Sequence, residues 1–113
     1  MEEDKKLYDT NVIIEAAKSG EKVRGYTTIL NVVEFPKATT LDLTVITPSL
    51  DDYLLSIKIS QAMVEMGTPV PAVDTVVAAV ALNRRLTLVS RDKHFLFIRE
   101  VYPGLKLQLE GEE

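Results

Sequence analysis

Short β-branched or apolar runs alternate along this chain with stretches of helical periodicity, and that alternation is what most narrows its fold. Strand-like runs occur at Lys6-Leu7-Tyr8, Tyr26-Thr27-Thr28-Ile29, Thr44-Val45-Ile46-Thr47 and Leu86-Thr87-Leu88-Val89, and Leu105 to Leu109 alternates like a closing edge strand. Between the first two, Asp9-Thr10-Asn11 supplies capping side chains ahead of Val12, Ile13, Ala16 and Ala17, and Gly20 ends that helix. Asn31 to Lys37 reads as a short helix that Pro36 keeps brief. Ser49, with Asp52 three residues on, resembles a capping box opening the longest helix, where Leu55, Ile59, Ala62 or Met63, and Met66 recur at helical spacing up to Gly67. The stretch from about Val73 to Asn83 is apolar on most sides, the pattern of a helix buried against a sheet, and Lys93 to Ile98 forms one more short helix. The expectation is an α/β domain on a mainly parallel sheet of about five strands. At 113 residues the chain is one domain's worth of length, with an ordered core over about residues 5 to 109 between acidic tails.

Composition removes several classes of function. No apolar run approaches the roughly 18 to 20 residues that span a bilayer, and Met1-Glu2-Glu3-Asp4-Lys5-Lys6 lacks the basic-then-apolar order of a secretion signal, so a cytoplasmic protein without a membrane partner is expected. With no Cys there is no disulfide, thiol nucleophile or Cys-based metal site, and a single His rules out a multi-His cage. Any metal is therefore expected to be held by oxygen. The net charge of −4 argues against a nucleic-acid partner at face value, but six acids lie in the tails: Glu2, Glu3, Asp4, Glu110, Glu112 and Glu113. Residues 5 to 109 carry all 13 basic groups against 11 acids, and residues 84 to 106 place Arg84, Arg85, Arg91, Lys93, Arg99 and Lys106 against Asp92 and Glu100. An anionic partner is compatible with that body.

In an open parallel sheet the ligand crevice lies beyond the carboxyl ends of the strands. Four acids fall there: Asp9 after strand one, Glu34 in the short helix after strand two, Asp74 at the start of the buried helix and Asp92 just past strand four. Each has a bland explanation. Asp9 or Asn11 caps a helix, Asp74 is a first-turn acid favoured by the helix dipole, and Asp92 is a solvated turn residue between Arg91 and Lys93. Glu34, flanked by Val32-Val33 and Phe35, is the hardest to dismiss, because a lone buried Glu is costly. Four carboxylates on one rim repel and are expensive to desolvate unless a cation neutralises them, which points to a hard divalent ion, Mg²⁺ or Mn²⁺. His94 reads as a turn residue rather than a general base, and Arg84-Arg85 as ordinary helix-end cations.

The segments Leu7-Tyr8-Asp9-Thr10-Asn11-Val12, Ile29 to Phe35, Val70-Pro71-Ala72-Val73-Asp74 running into Val76 to Ala81, and Leu86 to Phe95 resemble, in order, the four motifs of PIN domains, and Pro103-Gly104-Leu105 is similar to that family's closing strand. The resemblance implies a three-layer α/β/α sandwich and a metal-dependent ribonuclease of VapC type. Asp9, Glu34, Asp74 and Asp92 would be its acidic quartet, and Asn11 and Ser90 the residues that orient the carboxylates or metal-bound water. It also implies a homodimer and, in toxins, an antitoxin partner. One departure marks this chain as a shortened member. Toxin-like relatives carry a long helical excursion between Glu34 and the helix near Leu50, where only Phe35 to Ser49 stands here, and that excursion helps them form the dimer and the antitoxin groove.

The expected mechanism is hydrolysis of RNA phosphodiesters, with Asp9 and Asp92 as direct ligands of Mg²⁺ or Mn²⁺, Asp74 a ligand directly or through water, and Glu34 a ligand or the acceptor of the water's proton. Arg84, Arg85, Arg91 and Lys93 are the candidate phosphate contacts. The long helix around Leu54, Ile57 and Met63 is the expected dimer contact. The rival reading is a non-catalytic RNA- or protein-binding module of the same fold. A phosphoacceptor receiver domain fails because Thr47-Pro48, not Asp, follows strand three, and the chain has no Gly-rich phosphate loop.

Overall fold

The computed structural model describes residues 5–111. Of the expected acidic tails, Glu2, Glu3, Asp4, Glu112 and Glu113 lie outside the described residues. Glu110 does not belong to a tail: its backbone N–H donates to Ser90 O at 2.8 Å and prolongs the sheet by one bond.

The sheet is five-stranded and wholly parallel. Its strands are β1 (Lys6–Tyr8), β2 (Gly25–Thr28), β3 (Leu43–Ile46), β4 (Thr87–Ser90) and β5 (Lys106–Leu109), in spatial order β3-β2-β1-β4-β5. The helices are α1 (Thr10–Ser19), α2 (Ile29–Glu34), α3 (Leu50–Glu65), α4 (Ala72–Arg84) and α5 (His94–Val101). The period of two along the strands divides the core into layers. Leu7 and Leu88 point into one cluster with Ile59 and Met63 of α3, Val77 and Val80 of α4, and Phe95 and Ile98 of α5. Their neighbours Tyr8 and Val89 point the other way, onto Val12, Ile13 and Ala16 of α1. Helices therefore cover both faces, as expected of an α/β/α sandwich.

Element boundaries shift where local chemistry competes with pattern. The second helix starts at Ile29, not Asn31, because Thr28 and Asn31 form a reciprocal capping box, which also removes Ile29 from β2. It ends at Glu34 because Phe35 precedes a proline and is pushed out of the helical region, to φ −142°, ψ 82°; Pro36 then opens a 3-10 turn over Pro36–Thr40. That turn and β3 occupy the whole segment where the helical excursion was missed. Leu86 belongs to the end of α4 rather than to β4: Arg85 turns left-handed at φ 56°, and the Leu86 N–H reaches back to Ala81 O at 3.0 Å.

The start of α3 is more than a cap. The Ser49–Asp52 box forms as its spacing indicates, but Asp52 is also fully buried, where it accepts from Asn83 Nδ2 at 2.8 Å and pairs with Arg84 Nη1 at 2.8 Å. Burial pushes this carboxyl up, yet the bonds from Ser49 N–H, Asn83 and Arg84, with the Arg84 charge, outweigh it and hold Asp52 below its ordinary value of 3.8. This residue pins the start of α3 to the end of α4. Asp52→Ala should destabilise the protein by about 2–3 kcal/mol in urea unfolding, combining a lost cap with a broken ion pair that is discounted because the Arg84 side chain is 32% exposed. Asp51→Ala should change stability by less than about 0.5 kcal/mol.

Candidate active site

The strand order reverses between β1 and β4, the place beyond the carboxyl ends where an open parallel sheet offers its ligand crevice. Asp9 is the residue after β1, and Ser90 closes β4 two residues ahead of Asp92. α4 comes at the crevice from the opposite face and contributes Asp74 from its first turn.

One run of hydrogen bonds joins all four acids. The Thr10 hydroxyl donates to Glu34 Oε1 at 2.6 Å, and Asn31 Nδ2 donates both to Thr10 Oγ1 at 2.8 Å and to Asp9 Oδ1 at 3.1 Å. The Ser90 hydroxyl donates to Asp9 Oδ2 at 2.7 Å and accepts the Asp92 N–H at 3.0 Å. Asp92 Oδ1 accepts the His94 N–H at 2.9 Å, and His94 Nδ1 lies 2.9 Å from Asp92 Oδ1 and 3.2 Å from Asp74 Oδ2. Asp74, Asp92 and His94 each offer a ligand atom, all within 4.8 Å of one another.

The bland readings of Asp9 and Asp74 are true and insufficient. Asp9 does cap α1, its carboxylate accepting the Thr10 N–H at 2.9 Å, but it also takes bonds from α2 and β4. Burial pushes its pKa above the ordinary value; bonds from Ser90 and Thr10 oppose that, and the charges of Asp92 and Glu34 add to it. Asp74 sits in a helical first turn, where the dipole alone would lower it. Instead burial, to 8% exposure, and the charges of Asp92 and Asp9 push it up to about 7 against the opposing contact with His94. Two desolvated acids facing a third carboxylate are the donor set a divalent ion would neutralise, so the residues present fit one.

Several expectations need correction. Glu34 is exposed, and so is Val33, so the argument from a buried Glu fails; the Thr10 hydroxyl, not burial, ties Glu34 to the group. Asn11 acts through the backbone: its Oδ1 accepts the Arg91 N–H at 3.0 Å and so shapes the loop that carries Asp92. Arg91 and Lys93 flank Asp92 and are exposed at the rim. Arg84 and Arg85 end the helix that Asp74 begins, about 15 Å away at 1.5 Å per residue, and Arg84 is committed to Asp52. They do not border the acids. His94 is the residue that sequence reasoning misplaced, since it adds a nitrogen to a group expected to be all oxygen. Asn31 was overlooked although fully buried, with both amide protons and its carbonyl engaged. The signal for it was Thr28-x-x-Asn31, a capping pattern within apolar sequence.

No protein-family model matches the chain, and no curated protein does. Solved structures do. A chain of the VapBC2 complex of Rickettsia felis, bound to a DNA fragment from its promoter, is similar with a TM-score of 0.76 at 14% identity, over 94% of this chain and 98% of that one. DNA-bound VapBC from Salmonella typhimurium gives 0.73 at 20% identity, over 92% and 96%. VapBC-1 from nontypeable Haemophilus influenzae gives 0.72 at 19% identity, over 92% and 96%. The fold is thus the VapC-like PIN fold.

The raised acids have a consequence for stability. A carboxyl with a folded pKa of about 7 and an unfolded value of 3.8 binds its proton more tightly when folded, so its contribution is complete below about pH 4 and is lost as pH rises through 7. Asp9 acts with the same sign. Without divalent ions the melting temperature should fall by several degrees between pH 5 and pH 7.5, and Asp74→Asn should flatten most of that slope. A profile equally steep in both proteins would remove Asp74 as its cause.

Proposed function

We propose that this chain is a divalent-metal-dependent endoribonuclease, acting as the toxin of a toxin–antitoxin pair in the cytoplasm. The observation that carries this reading is the convergence of Asp9, Glu34, Asp74 and Asp92, from four separate parts of the fold, into one hydrogen-bonded group whose buried members resist ionisation. Asp9, Asp74 and Asp92 would hold Mg²⁺ or Mn²⁺. When bound, the ion supplies Lewis acidity and lowers the pKa of water.

The protein's own contribution is positioning. Ser90 and Asn31 hold Asp9 from two sides and leave its carboxylate no freedom to turn. Asn11 and Ser90 hold the Arg91–Asp92 backbone, so Asp92 needs no rearrangement to face Asp74. Glu34 is the exposed acid of the four and can pass a proton from an attacking water to solvent. Arg91 and Lys93, exposed on either side of Asp92 in the chain, would hold RNA phosphates.

Exposed apolar residues of α3, among them Leu50, Tyr53, Leu54, Ile57 and Val64, form the face on which a homodimer is proposed. Met63, also expected there, is fully buried in the core instead. Light scattering should give a dimer at tens of micromolar, and Ile57→Glu should give a folded monomer.

Cleavage of single-stranded RNA should require Mg²⁺ or Mn²⁺ and stop with EDTA. Asp92→Asn should lower the rate by about 10²-fold or more while changing RNA affinity less than about threefold, and Arg91→Ala with Lys93→Ala should weaken binding and its salt dependence. Equal RNA binding with and without ions, and no cleavage of several RNAs, would instead identify a non-catalytic binding module. Coexpression with the product of the adjacent gene tests for the antitoxin.

A further inference from the structure

The His94 imidazole is the one nitrogen donor in a group of acids, and its position is specified twice. Its backbone N–H closes on Asp92 Oδ1 at 2.9 Å, and its ring Nδ1 lies 2.9 Å from the same oxygen. The turn that starts α5 therefore sets where the ring points. Across the crevice Nδ1 stands 3.2 Å from Asp74 Oδ2, an atom supplied by a different helix. Donors on adjacent positions around one ion with bonds of about 2.1 Å lie roughly 3.0 Å apart in an octahedron and roughly 3.4 Å apart in a tetrahedron. The two spacings to Nδ1, 2.9 and 3.2 Å, are those of donors that can share one ion after a small adjustment, and the ring, 43% exposed, is not wedged in place by packing.

We propose that His94 Nδ1 is a direct ligand of the ion held by Asp74 and Asp92, making this a mixed nitrogen–oxygen site that favours softer ions such as Zn²⁺ or Cd²⁺ over Mg²⁺. This rests on the reading of the acidic rim as a metal centre and deepens it. Carboxylates alone suit Mg²⁺, which resists losing its water, whereas an imidazole adds affinity for Zn²⁺ and its neighbours. Without an ion, Nδ1–H donates to a carboxylate; on coordination the Nδ1 lone pair turns to the ion and the ring keeps one proton, on Nε2, so a neutral ring moves its proton from Nδ1 to Nε2 and a doubly protonated ring gives one to solvent.

Because the chain has a single His, one labelled residue reports the site without ambiguity. The full chain carrying ¹⁵N-histidine is titrated with Mg²⁺ and with ¹¹³Cd²⁺ while ring nitrogens are followed by NMR, and affinities are measured by calorimetry for the unaltered protein, His94→Ala and His94→Gln. Cd²⁺ should shift Nδ1 and split it by coupling to ¹¹³Cd, leaving Nε2 protonated. His94→Ala and His94→Gln should weaken Cd²⁺ binding by about 10- to 100-fold but Mg²⁺ by less than about threefold. Cd²⁺ binding with Nδ1 uncoupled and affinity intact in both variants overturns the proposal and leaves the acidic metal centre standing. Failure of Mg²⁺, Mn²⁺ and Cd²⁺ to bind the unaltered chain at all overturns both. If a variant fails to fold, the ¹¹³Cd coupling in the unaltered chain decides alone.

Discussion

β1 is hydrogen-bonded on both sides, to β2 and to β4, and the rest of the molecule is arranged around that central position. It is three residues long, yet Leu7 and Tyr8 anchor the two opposite layers of core. Pairing with β4 in the register Tyr8↔Val89 carries Asp9 and Ser90 forward together, to where one hydrogen bond of 2.7 Å joins them. Residues 81 positions apart thus become neighbours through backbone pairing that is indifferent to their side chains. A parallel sheet with a strand-order reversal creates a crevice whether or not anything binds there; here the crevice is filled with acids.

Those acids oppose the fold that gathers them. Hydrogen bonds from Ser90, Asn31 and the Thr10 N–H repay part of the desolvation of Asp9, but Asp74 is left to face Asp92 and is pushed up to about 7. The contrast with Asp52 is instructive. Asp52 is more deeply buried than either, but a guanidinium, an amide and a cap bond surround it, and it stays ionised and structural. Burial is shared by the three; what differs is the sign of the neighbouring charge. A carboxylate facing a cation stays ionised and holds helices together, while carboxylates facing carboxylates are pushed towards their neutral form.

The two ends of α4 divide the same way. Its first turn meets the acids and its last turn meets Asp52, so one 13-residue helix links the acidic rim to the structural anchor of α3. Its middle is buried on nearly every side, which removes any slack through which the ends could move independently.

Much of this was legible in the sequence because it depends on local patterns. Strand alternation, the Ser49–Asp52 box, the apolar run of α4 and the placement of Asp9, Asp74 and Asp92 at element junctions are all properties of neighbouring residues, and they determined the element order and the candidate acids. Distance and direction across the fold were decided only by the tertiary structure. Arg84 and Asp74 are ten residues apart on one helix and serve opposite ends of the sheet, because the helix runs against the strands it covers. Glu34 has apolar neighbours in sequence and is exposed, because a six-residue helix at the edge of the crevice turns its last residue outward. His94 reads as a turn residue beside charge and is instead the first residue of α5; that this helix start aims its ring at an acid from another helix depends on the packing of α4 against β4 and α5, which no local pattern encodes.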